Sequence, residues 1–260
     1  MSKDARVAVV TGAARGMGRC TAEFLADEGY ALVLADLNDP AETEAAVRER
    51  GSDALSVTGD VSSEVDVAEL AARIRERFGR VDVLVNNAGI SYLAPAEDTR
   101  TEDWRRVLDV NLTGPFLLSR ELGRMMLEAG AGSIVNVASI AGLCGVADRS
   151  AYNASKHGLV GLTRTLAAEW SGRGVRVNAV CPGWVKTEMD EEDQAAGGYT
   201  DRDIVEQVPM GRFAAPEDVA RAIVFLADPE LSGFMNGVAL PVDGGWTADA
   251  SWTSLRLRKR

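Results

Sequence analysis

Three side chains near the middle of the chain are of the types that move a proton to or from a hydroxyl group: Ser139, Tyr152 and Lys156. If residues 152 to about 171 form a helix, Tyr152 and Lys156 stand at positions i and i+4 and project from one face. Lowering a tyrosine pKa from about 10 by two to three units requires about 3–4 kcal/mol. One positive charge about 4 Å away contributes about 4 kcal/mol at an effective dielectric constant of about 20. The spacing predicts an acid/base tyrosine, although the same pair is typical of an ordinary amphipathic helix when it stands alone.

The composition limits the kind of protein that carries these residues. The chain has 260 residues, 46% of them apolar, which suffices for the core of one α/β domain. Three cysteines without metal-ligand spacing favour a reducing compartment over a disulfide framework. A net charge of −11 argues against nucleic acid as a partner, and neither a signal peptide nor a membrane span is predicted. We therefore expect a cytoplasmic protein that binds neither nucleic acid nor membranes and has no metal site.

Strand-like and helix-like segments alternate along the chain. The predicted strands are short, largely apolar runs, most of them rich in β-branched residues and typical of buried parallel strands, at Arg6–Val10, Ala31–Ala35, Ala54–Thr58, Val81–Val85, Ser133–Val137, Val175–Val180 and Val238–Val242. The predicted helices are Met17–Glu28, Pro40–Arg50, a Ser63-capped helix to Phe78, Thr101–Glu128 with a disturbance near Asn111–Pro115, Tyr152–Ser171 and Pro216–Ala227. This alternation predicts a single-domain Rossmann fold over residues 1–260, a doubly wound seven-stranded parallel sheet with helices on both faces. Residues 184–215, which we predict to be irregular, would form a substrate lid, and residues 247–260 a C-terminal tail.

Three glycines, Gly12, Gly16 and Gly18, follow the first predicted strand and open the first helix, with Arg15 and Met17 between them. Glycine permits a tight turn and a close approach of the backbone to a pyrophosphate, whose charge is favoured by the free N–H groups of a helix N-terminus. The turn lies at the carboxyl end of a strand, where such sheets bind ligands. The loop therefore predicts a dinucleotide site.

Asp36 ends the second predicted strand, where an acidic residue accepts hydrogen bonds from the adenosine ribose. A 2′-phosphate beside this carboxylate would meet repulsion of a few kcal/mol, enough for about a tenfold or larger preference for NAD over NADP. Leu37 follows, in place of an arginine that could hold the phosphate. Arg15 is the counter-indication, because a basic residue in the glycine loop could reach a 2′-phosphate. NAD is the predicted cofactor, and NADP the alternative.

These residues together resemble the classical short-chain dehydrogenase/reductase family, and the resemblance covers nearly the whole chain. The family motifs stand here as TGAARGMG at Thr11–Gly18, NNAG at Asn86–Gly89, Asn111, Ser139, YNASK at Tyr152–Lys156 and PG at Pro182–Gly183. The resemblance implies that Tyr152 is the acid/base and that Ser139 hydrogen-bonds the reacting oxygen. It also implies that Lys156 lowers the Tyr152 pKa and binds the nicotinamide ribose, while Asn111 holds a water that links Lys156 to solvent.

The resemblance further implies a lining for the cofactor site and an oligomeric state. Asp60 and Val61 would face the adenine, Asn87, Ala88 and Gly89 the ribose side, and Pro182, Gly183, Val185 and Thr187 the carboxamide and phosphates. The family commonly forms homotetramers through its long helices, here 101–128 and 152–171, and through its last strand. We expect the same assembly here.

Other conspicuous residues have plainer interpretations. His157 points about 100° around the helix from Lys156, so we interpret it as a packing residue. Cys144 and Cys181 lack an activating base and are interpreted as small apolar fillers. Trp184 and Met189 open the predicted lid and are predicted to contact the substrate. The tail from Trp252 to Arg260 is either a solvated terminus or part of a subunit interface.

Three functions fit this sequence. The first is NAD-dependent interconversion of a secondary alcohol and a ketone in a small polar molecule such as a sugar or polyol, with a steroid or terpenoid alcohol as a variant. The second is reduction of 3-oxoacyl groups on an acyl carrier protein, which the net charge and Asp36 disfavour, although Arg120 and Arg124 could form a local basic patch. The third is a non-catalytic NAD sensor, which the intact serine, tyrosine and lysine set disfavours.

Overall fold

Seven parallel strands form one sheet in the computed structural model, which describes residues 5–195, 199–251, 254 and 255. The strand order is β3-β2-β1-β4-β5-β6-β7. The strands are β1 Val7–Thr11, β2 Ala31–Asp36, β3 Ala54–Thr58, β4 Val83–Asn86, β5 Gly132–Val137, β6 Val175–Pro182 and β7 Ala239–Val242. Each predicted strand is present to within two residues at either end, and the seven-stranded parallel sheet is confirmed.

Helices connect the strands and cover both faces of the sheet. They are α1 Gly16–Asp27, α2 Ala41–Glu49, α3 Glu64–Arg77, α4 Thr101–Leu108, α5 Gly114–Ala129, α6 Ser150–Trp170, α7 Glu188–Ala195, α8 Asp201–Gln207, α9 Pro216–Ala227 and the single turn α10 Pro229–Ser232. The Ser63 hydroxyl accepts a hydrogen bond from the Asp66 backbone N–H, as the predicted cap of α3 requires. None of the helices in the described part of the chain is long and apolar enough to cross a membrane.

The two faces of the sheet bury two separate apolar layers. Along β1, Val7 and Val9 pack in the layer formed with α3, α5 and α6, whereas Ala8 and Val10 pack in the layer formed with α1, α2 and α9. Successive side chains of a strand point to opposite faces. A strand whose residues are all apolar is therefore the pattern that a sheet covered on both faces requires.

The strand order reverses next to β1, which pairs with β2 on one side and with β4 on the other. Val10 stands opposite Leu34 and Val85, so these three strands end at the same level. The loops that follow them diverge, and the crevice between such loops is where doubly wound sheets bind ligands. This crevice positions the candidate site.

Two segments differ from the sequence-based expectation. Residues 184–215 are not irregular, because they contain α7 and α8, the second with a capping box between Thr200 and Asp203. The expected disturbance of the long helix is a π-helical turn at Asp109–Thr113, which separates α4 from α5. Seven of the nine residues from 252 to 260 lie outside the described residues, at 252–253 and 256–260, so the two alternatives for that segment stay open.

Candidate active site

The glycine loop after β1 leaves an open helix N-terminus at the crevice. Gly12 and Gly16 have φ of +65° and +55°, the left-handed region that glycine adopts without strain. Helix α1 begins at Gly16, and no side chain caps it or places an acidic group in its first turn. Its first N–H groups are therefore available to an anion, whose charge the helix dipole favours.

Asp36 stands at the end of β2 beside this loop. Its Oδ2 accepts a hydrogen bond of 2.9 Å from the Ala14 backbone N–H, and its Oδ1 one of 2.9 Å from the Asn38 backbone N–H. The carboxylate thus supports the loop and also lines the groove that begins there. Arg15, the counter-indication to NAD, lies 3.3 Å from Glu192 of α7 in an exposed ion pair.

A groove runs from Asp36 past the ends of β1 and β4. The predicted cofactor residues that line it are Gly12, Arg15, Gly16, Met17, Gly18, Asp36, Leu37, Asp60, Val61, Asn87, Ala88, Gly89 and Thr187. Sequence reasoning missed other lining residues: Asn38, Gly59, Ile90, Arg106, Val110 and Glu188. Arg106 is the informative one, since its Nη1 lies 3.0 Å from Asp60 Oδ2. No motif indicates Arg106, which reaches the groove only through the packing of α4.

Asn87 ties β4 to the glycine loop. Its Nδ2 donates a hydrogen bond of 2.9 Å to the Thr11 carbonyl oxygen, while its Oδ1 is buried with no protein partner. A Cβ on Gly12 would lie 2.9 Å from Asn87 Nδ2, and a Cβ on Gly18 would overlap the Gly12 carbonyl oxygen. The two glycines are therefore needed for the packing of the loop itself.

The four predicted catalytic residues converge from three elements. Ser139 follows β5, and its hydroxyl accepts a 3.1 Å hydrogen bond from the Ala141 backbone N–H and also hydrogen-bonds Tyr152 of α6. Lys156, one turn further along α6, is buried and donates a 2.8 Å hydrogen bond to the Val137 carbonyl oxygen. Asn111 is fully buried in the π-helical turn.

Asn111 is held by backbone groups. Its Nδ2 donates to the Ile90 carbonyl oxygen and its Oδ1 accepts from the Ile90 N–H, both at 2.9 Å, and Nδ2 also lies 3.2 Å from Ser155 Oγ. The π-helical turn frees the backbone here from the regular α-helical pattern. A Cβ on Gly89 would lie 3.3 Å from Asn111 Oδ1 and 3.5 Å from Lys156 Nζ. Asn111, Gly89 and Lys156 therefore meet at one point of the site.

The pKa of Tyr152 does not move in the direction that the sequence suggests. Burial raises it above the ordinary value, and the hydrogen bond with Ser139 and the positive charge of Arg149 lower it by less. Lys156 Nζ lies 5.5 Å from the centre of the Tyr152 ring and is directed to Val137. Burial also lowers the pKa of Lys156 to about 8. In this arrangement Tyr152 is a neutral phenol at pH 7, and the nearby cation that lowers its pKa is Arg149.

A second pocket opens beside Tyr152. It contains the predicted residues that the groove lacks, except Asn111 and Lys156, which line neither pocket. Its lining includes Ser139, Val146, Arg149, Tyr152, Pro182, Gly183, Trp184, Val185, Thr187, Met189, Asp190, Asp193 and Tyr199. Trp184 contacts the Tyr199 ring edge-on, with ring centres 4.8 Å apart. Met189 and Thr187 line both pockets. The helix α7 therefore separates a cofactor groove from a substrate pocket.

Arg149 is the residue of this pocket that sequence reasoning missed. It is 7% exposed, and its Nη2 lies 2.8 Å from Asp193 Oδ2. Its place three positions before Tyr152 was visible in the sequence, but an arginine at a helix start is ordinarily solvated. It is buried by residues from separate segments, among them Ser91, Trp184 and Asp193 of α7.

The other conspicuous residues take no part in these pockets' polar contacts. His157 is exposed, and its Nδ1 lies 2.9 Å from the Asn153 carbonyl oxygen. Cys181 is fully buried, and burial raises its pKa to about 11, so the thiol is inert near neutral pH. The described residues include no group of three or more potential metal ligands.

The groove fits a nicotinamide dinucleotide. The uncapped start of α1 offers N–H groups to a pyrophosphate. Lys156 donates one hydrogen bond to the described residues, which leaves two of its three donors for ligand oxygens. Asn87 Oδ1, which has no partner among the described residues, could accept a ligand hydroxyl, and Asp36 lies where a ribose would be held.

Comparison with known proteins gives one family. A family model described as enoyl-(acyl carrier protein) reductase matches residues 12–247. The cis-4-hydroxycyclohexanecarboxylate dehydrogenase of Sinomonas cyclohexanicum is 45% identical, over 94% of this chain and 97% of its own. The D-threitol dehydrogenase of Mycolicibacterium smegmatis is 42% identical, over 94% of both chains. A short-chain type dehydrogenase/reductase of Sinorhizobium fredii is 46% identical over 93% of this chain, which spans only 43% of that longer protein.

A solved structure supports the same family. A Beutenbergia cavernae protein, described provisionally as an NAD(P)-dependent gluconate 5-dehydrogenase and holding NADP at low occupancy, superposes with a TM-score of 0.86. The two are 42% identical over 94% of this chain and 97% of that one. The fold, the site geometry and these relatives agree, and the chain belongs to the classical short-chain dehydrogenase/reductase family of oxidoreductases.

Proposed function

We propose that this protein is an NAD-dependent dehydrogenase that interconverts a secondary alcohol and a ketone in a small polar substrate. The observation that carries the proposal is the hydrogen-bonded pair Ser139 and Tyr152, which lies in a pocket next to the groove that Asp36 lines. A hydroxyl pair of this kind can hold a substrate oxygen and exchange a proton with it.

The proposed roles follow from the contacts of each residue. The bound cofactor supplies the hydride chemistry. Ser139 holds the substrate oxygen, and Tyr152 accepts its proton in oxidation or returns it in reduction. Lys156 and Asn111 are buried polar residues behind this pair. Lys156 has two donors left to bind ligand hydroxyls.

NAD is the proposed cofactor because negative charge surrounds the position of a 2′-phosphate. Asp36 would repel the phosphate, and Glu192 already partners Arg15. The NADP in the Beutenbergia relative supports the opposite choice, so cofactor preference is part of the test. We also propose a cytoplasmic homotetramer, which the exposed apolar side chains Phe116, Leu231 and Phe234 favour.

A polar substrate is favoured by the charged and hydroxyl-bearing side chains of the pocket, among them Arg149, Asp190, Asp193 and Tyr199. The names of the relatives point to substrates of the same kind, a polyol and a hydroxy acid. A steroid or terpenoid hydrocarbon would offer no acceptor to the buried donors Arg149 Nη2 and Trp184 Nε1, at a cost of about 1–3 kcal/mol each.

Reduction of an acyl-carrier substrate is the second candidate, favoured by the description of the matching family. Its docking patch is weak, because Arg120 pairs with Glu64 and Glu121 at 2.7 and 2.9 Å, and Arg124 pairs with Glu121 at 3.0 Å. An acidic carrier would meet arginines whose charge is already offset.

The test is production or consumption of reduced nicotinamide with NAD and NADP in parallel, over polyols, sugars, hydroxy acids, steroids and 3-hydroxyacyl thioesters. Turnover of a polar alcohol with NAD, lowered by about 10²–10⁴-fold in Tyr152→Phe, is expected. Activity with NADP and acyl thioesters alone would establish the second candidate. Tight NAD binding without any turnover would favour an NAD sensor.

A further inference from the structure

We propose that Arg149 recognises a carboxylate, so that the substrate is a small hydroxy acid or its keto acid. This inference deepens the proposed function and rests on it, since it names the class of alcohol that the pocket accepts.

The guanidinium of Arg149 is fixed at the pocket wall. Nη1 donates a 2.8 Å hydrogen bond to Ser91 Oγ, and the side chain is almost fully buried. Its Cζ lies 5.5 Å from the Trp184 ring and 5.9 Å from the Tyr152 ring. A buried guanidinium with a planar fork of donors is the group that proteins use to bind a carboxylate.

The pocket contains donors without acceptors. Arg149 Nη2 is 2.8 Å from Asp193 Oδ2, yet this contact lacks the alignment of a hydrogen bond, and Nη2 is buried with no hydrogen-bond partner among the described residues. Trp184 Nε1 is likewise buried, with no partner in the part of the chain that the structure describes. Both residues line the same pocket. Buried N–H groups in native proteins are nearly always paired, so two orphaned donors indicate a ligand that brings acceptor oxygens.

The Asp193 carboxylate lies where the negative charge of that ligand would be expected. It belongs to α7, which covers the pocket, and its carboxylate offsets a buried cation that would otherwise be costly. A substrate carboxylate in the fork would replace it and leave the charge balance of Arg149 intact.

The other acidic residue of the pocket is already satisfied. Asp190 lies 3.1 Å from Lys186 Nζ, 3.0 Å from Gln194 Nε2 and 3.1 Å from the Tyr199 hydroxyl. Four groups thus offset or donate to the two carboxylates when Arg149 is included, and of these four only Arg149 has a buried nitrogen without a hydrogen-bond partner among the described residues. The part of the pocket next to Arg149 Nη2 and Trp184 Nε1 is therefore the part that would bind an anion.

The distances limit the size of the acid. With Cζ 5.9 Å from the centre of the Tyr152 ring, one small molecule can reach both groups when its carboxylate and its carbinol carbon are a few bonds apart. The carboxylate takes no part in the bond changes. With bound NAD⁺ as the hydride acceptor, the carbinol carbon would lose a hydride, the Tyr152 phenolate would take the hydroxyl proton, and a ketone would remain.

Binding of unreactive probes tests the proposal apart from catalysis. In the Tyr152→Phe enzyme with NAD present, calorimetry at constant ionic strength would compare cyclohexanecarboxylate with cyclohexanecarboxamide, and butyrate with butyramide. We expect at least one acid to bind about tenfold or more tightly than its amide. Arg149→Met should abolish that ratio, whereas Arg75→Met, which removes an exposed arginine of α3, should preserve it.

Asp193→Asn keeps the test decisive if Arg149→Met fails to fold. Removal of the competing carboxylate should increase the acid-to-amide ratio several-fold. Equal binding of acids and amides, no binding of either acid, or a ratio that persists in Arg149→Met would overturn the proposal. A preference for acids in a protein that oxidises no alcohol would refute the proposed function and the hydroxy-acid substrate, and would leave only the recognition of a carboxylate by Arg149 standing. Turnover of neutral alcohols without a preference for acids would refute this inference and leave the proposed function standing.

Discussion

The cofactor groove is lined largely by residues at or just after the ends of β1, β2, β3 and β4, whereas the lining of the proposed substrate pocket includes residues of α7 and of the start of α6. In the groove, the decisive features are the glycine loop, the uncapped N-terminus of α1 and the Asp36 carboxylate. In the pocket, the decisive groups are Arg149, Asp193 and Trp184, which come from three separate segments. A glycine turn at the end of the first strand is general to dinucleotide sites of this fold, whereas we propose that the pocket selects the substrate.

Because different residues form the two regions, a substitution in one region should leave the function of the other region intact. Damage to the groove should reduce cofactor affinity and stability, and damage beside the pocket should reduce turnover while the cofactor still binds. Helix α7 touches both regions, through Glu192 toward Arg15 and through Asp193 toward Arg149, so changes there should be small and mixed. Four substitutions sharpen the comparison.

The largest effect is expected for Ser139→Ala. Its hydrogen bond lowers a Tyr152 pKa that burial raises, and without it that pKa rises further. Oxidation requires the phenolate, so its rate should increase with pH above neutrality and fall in acid, whereas reduction requires the phenol and should decline only in alkali. The variant should lower kcat by about 10²–10³-fold and shift the rise in oxidation to higher pH. Steady-state pH profiles in both directions measure this, and an equal loss of NAD affinity would contradict the separation of the two regions.

Gly18→Ala should damage the groove. The added methyl group would overlap the Gly12 carbonyl oxygen and lie 2.6 Å from Asn87 Nδ2. Overpacking of this kind costs about 1–3 kcal/mol of unfolding free energy, and the displaced loop should lower NAD affinity about tenfold or more. Denaturant unfolding and NAD titration measure the two losses. The matched control is Gly161→Ala in α6, whose methyl group meets no atom within 4 Å. It should gain up to about 1 kcal/mol, and similar behaviour of the two variants would refute the packing argument.

Asp36→Asn should change cofactor choice by about tenfold. Asparagine keeps the shape and can still accept the hydrogen bond from the Ala14 N–H, but it removes the charge that repels a 2′-phosphate. We expect kcat/KM with NADP to rise relative to NAD, with little loss of stability. If the ratio is unaltered, Asp36 is a loop-supporting residue and not the determinant of cofactor preference.

Glu192→Gln should give the smallest effect. It releases Arg15 from an ion pair whose side chains are 59% and 66% exposed, so the pair is weak and screened by salt. Use of NADP should improve no more than a few-fold at low salt and by a negligible amount at high salt. Glu191→Gln, an exposed neighbour on α7, serves as the control. An equal response of both variants would show a general charge effect of the helix.

Most of the fold and half of the site were predictable. The strands were recognisable because a doubly covered parallel sheet requires apolar residues at every position, as in β1. The glycine loop, Asp36 and the pair Tyr152 and Lys156 were recognisable because each depends on short spacing along the chain. The helices of 184–215 were missed because α7 has six charged or amide side chains among its eight residues and no apolar stripe.

The direction in which the Tyr152 pKa shifts could not be predicted from the sequence either. It depends on how deeply the phenol is buried and on which cation lies nearest, and both follow from the packing of several elements. Spacing placed Lys156 beside Tyr152 along the helix, but the Val137 carbonyl oxygen directs its ammonium elsewhere.

The sequence by itself determined a doubly wound sheet, a dinucleotide groove at its switch point and a serine, tyrosine and lysine set, because backbone geometry and helical spacing are local properties. Only the tertiary structure decided that Arg149 is buried beside Tyr152, that Asp193 faces it, and that two donors of the pocket lack acceptors. Those facts depend on contacts between residues far apart in the chain, whose burial no local pattern encodes.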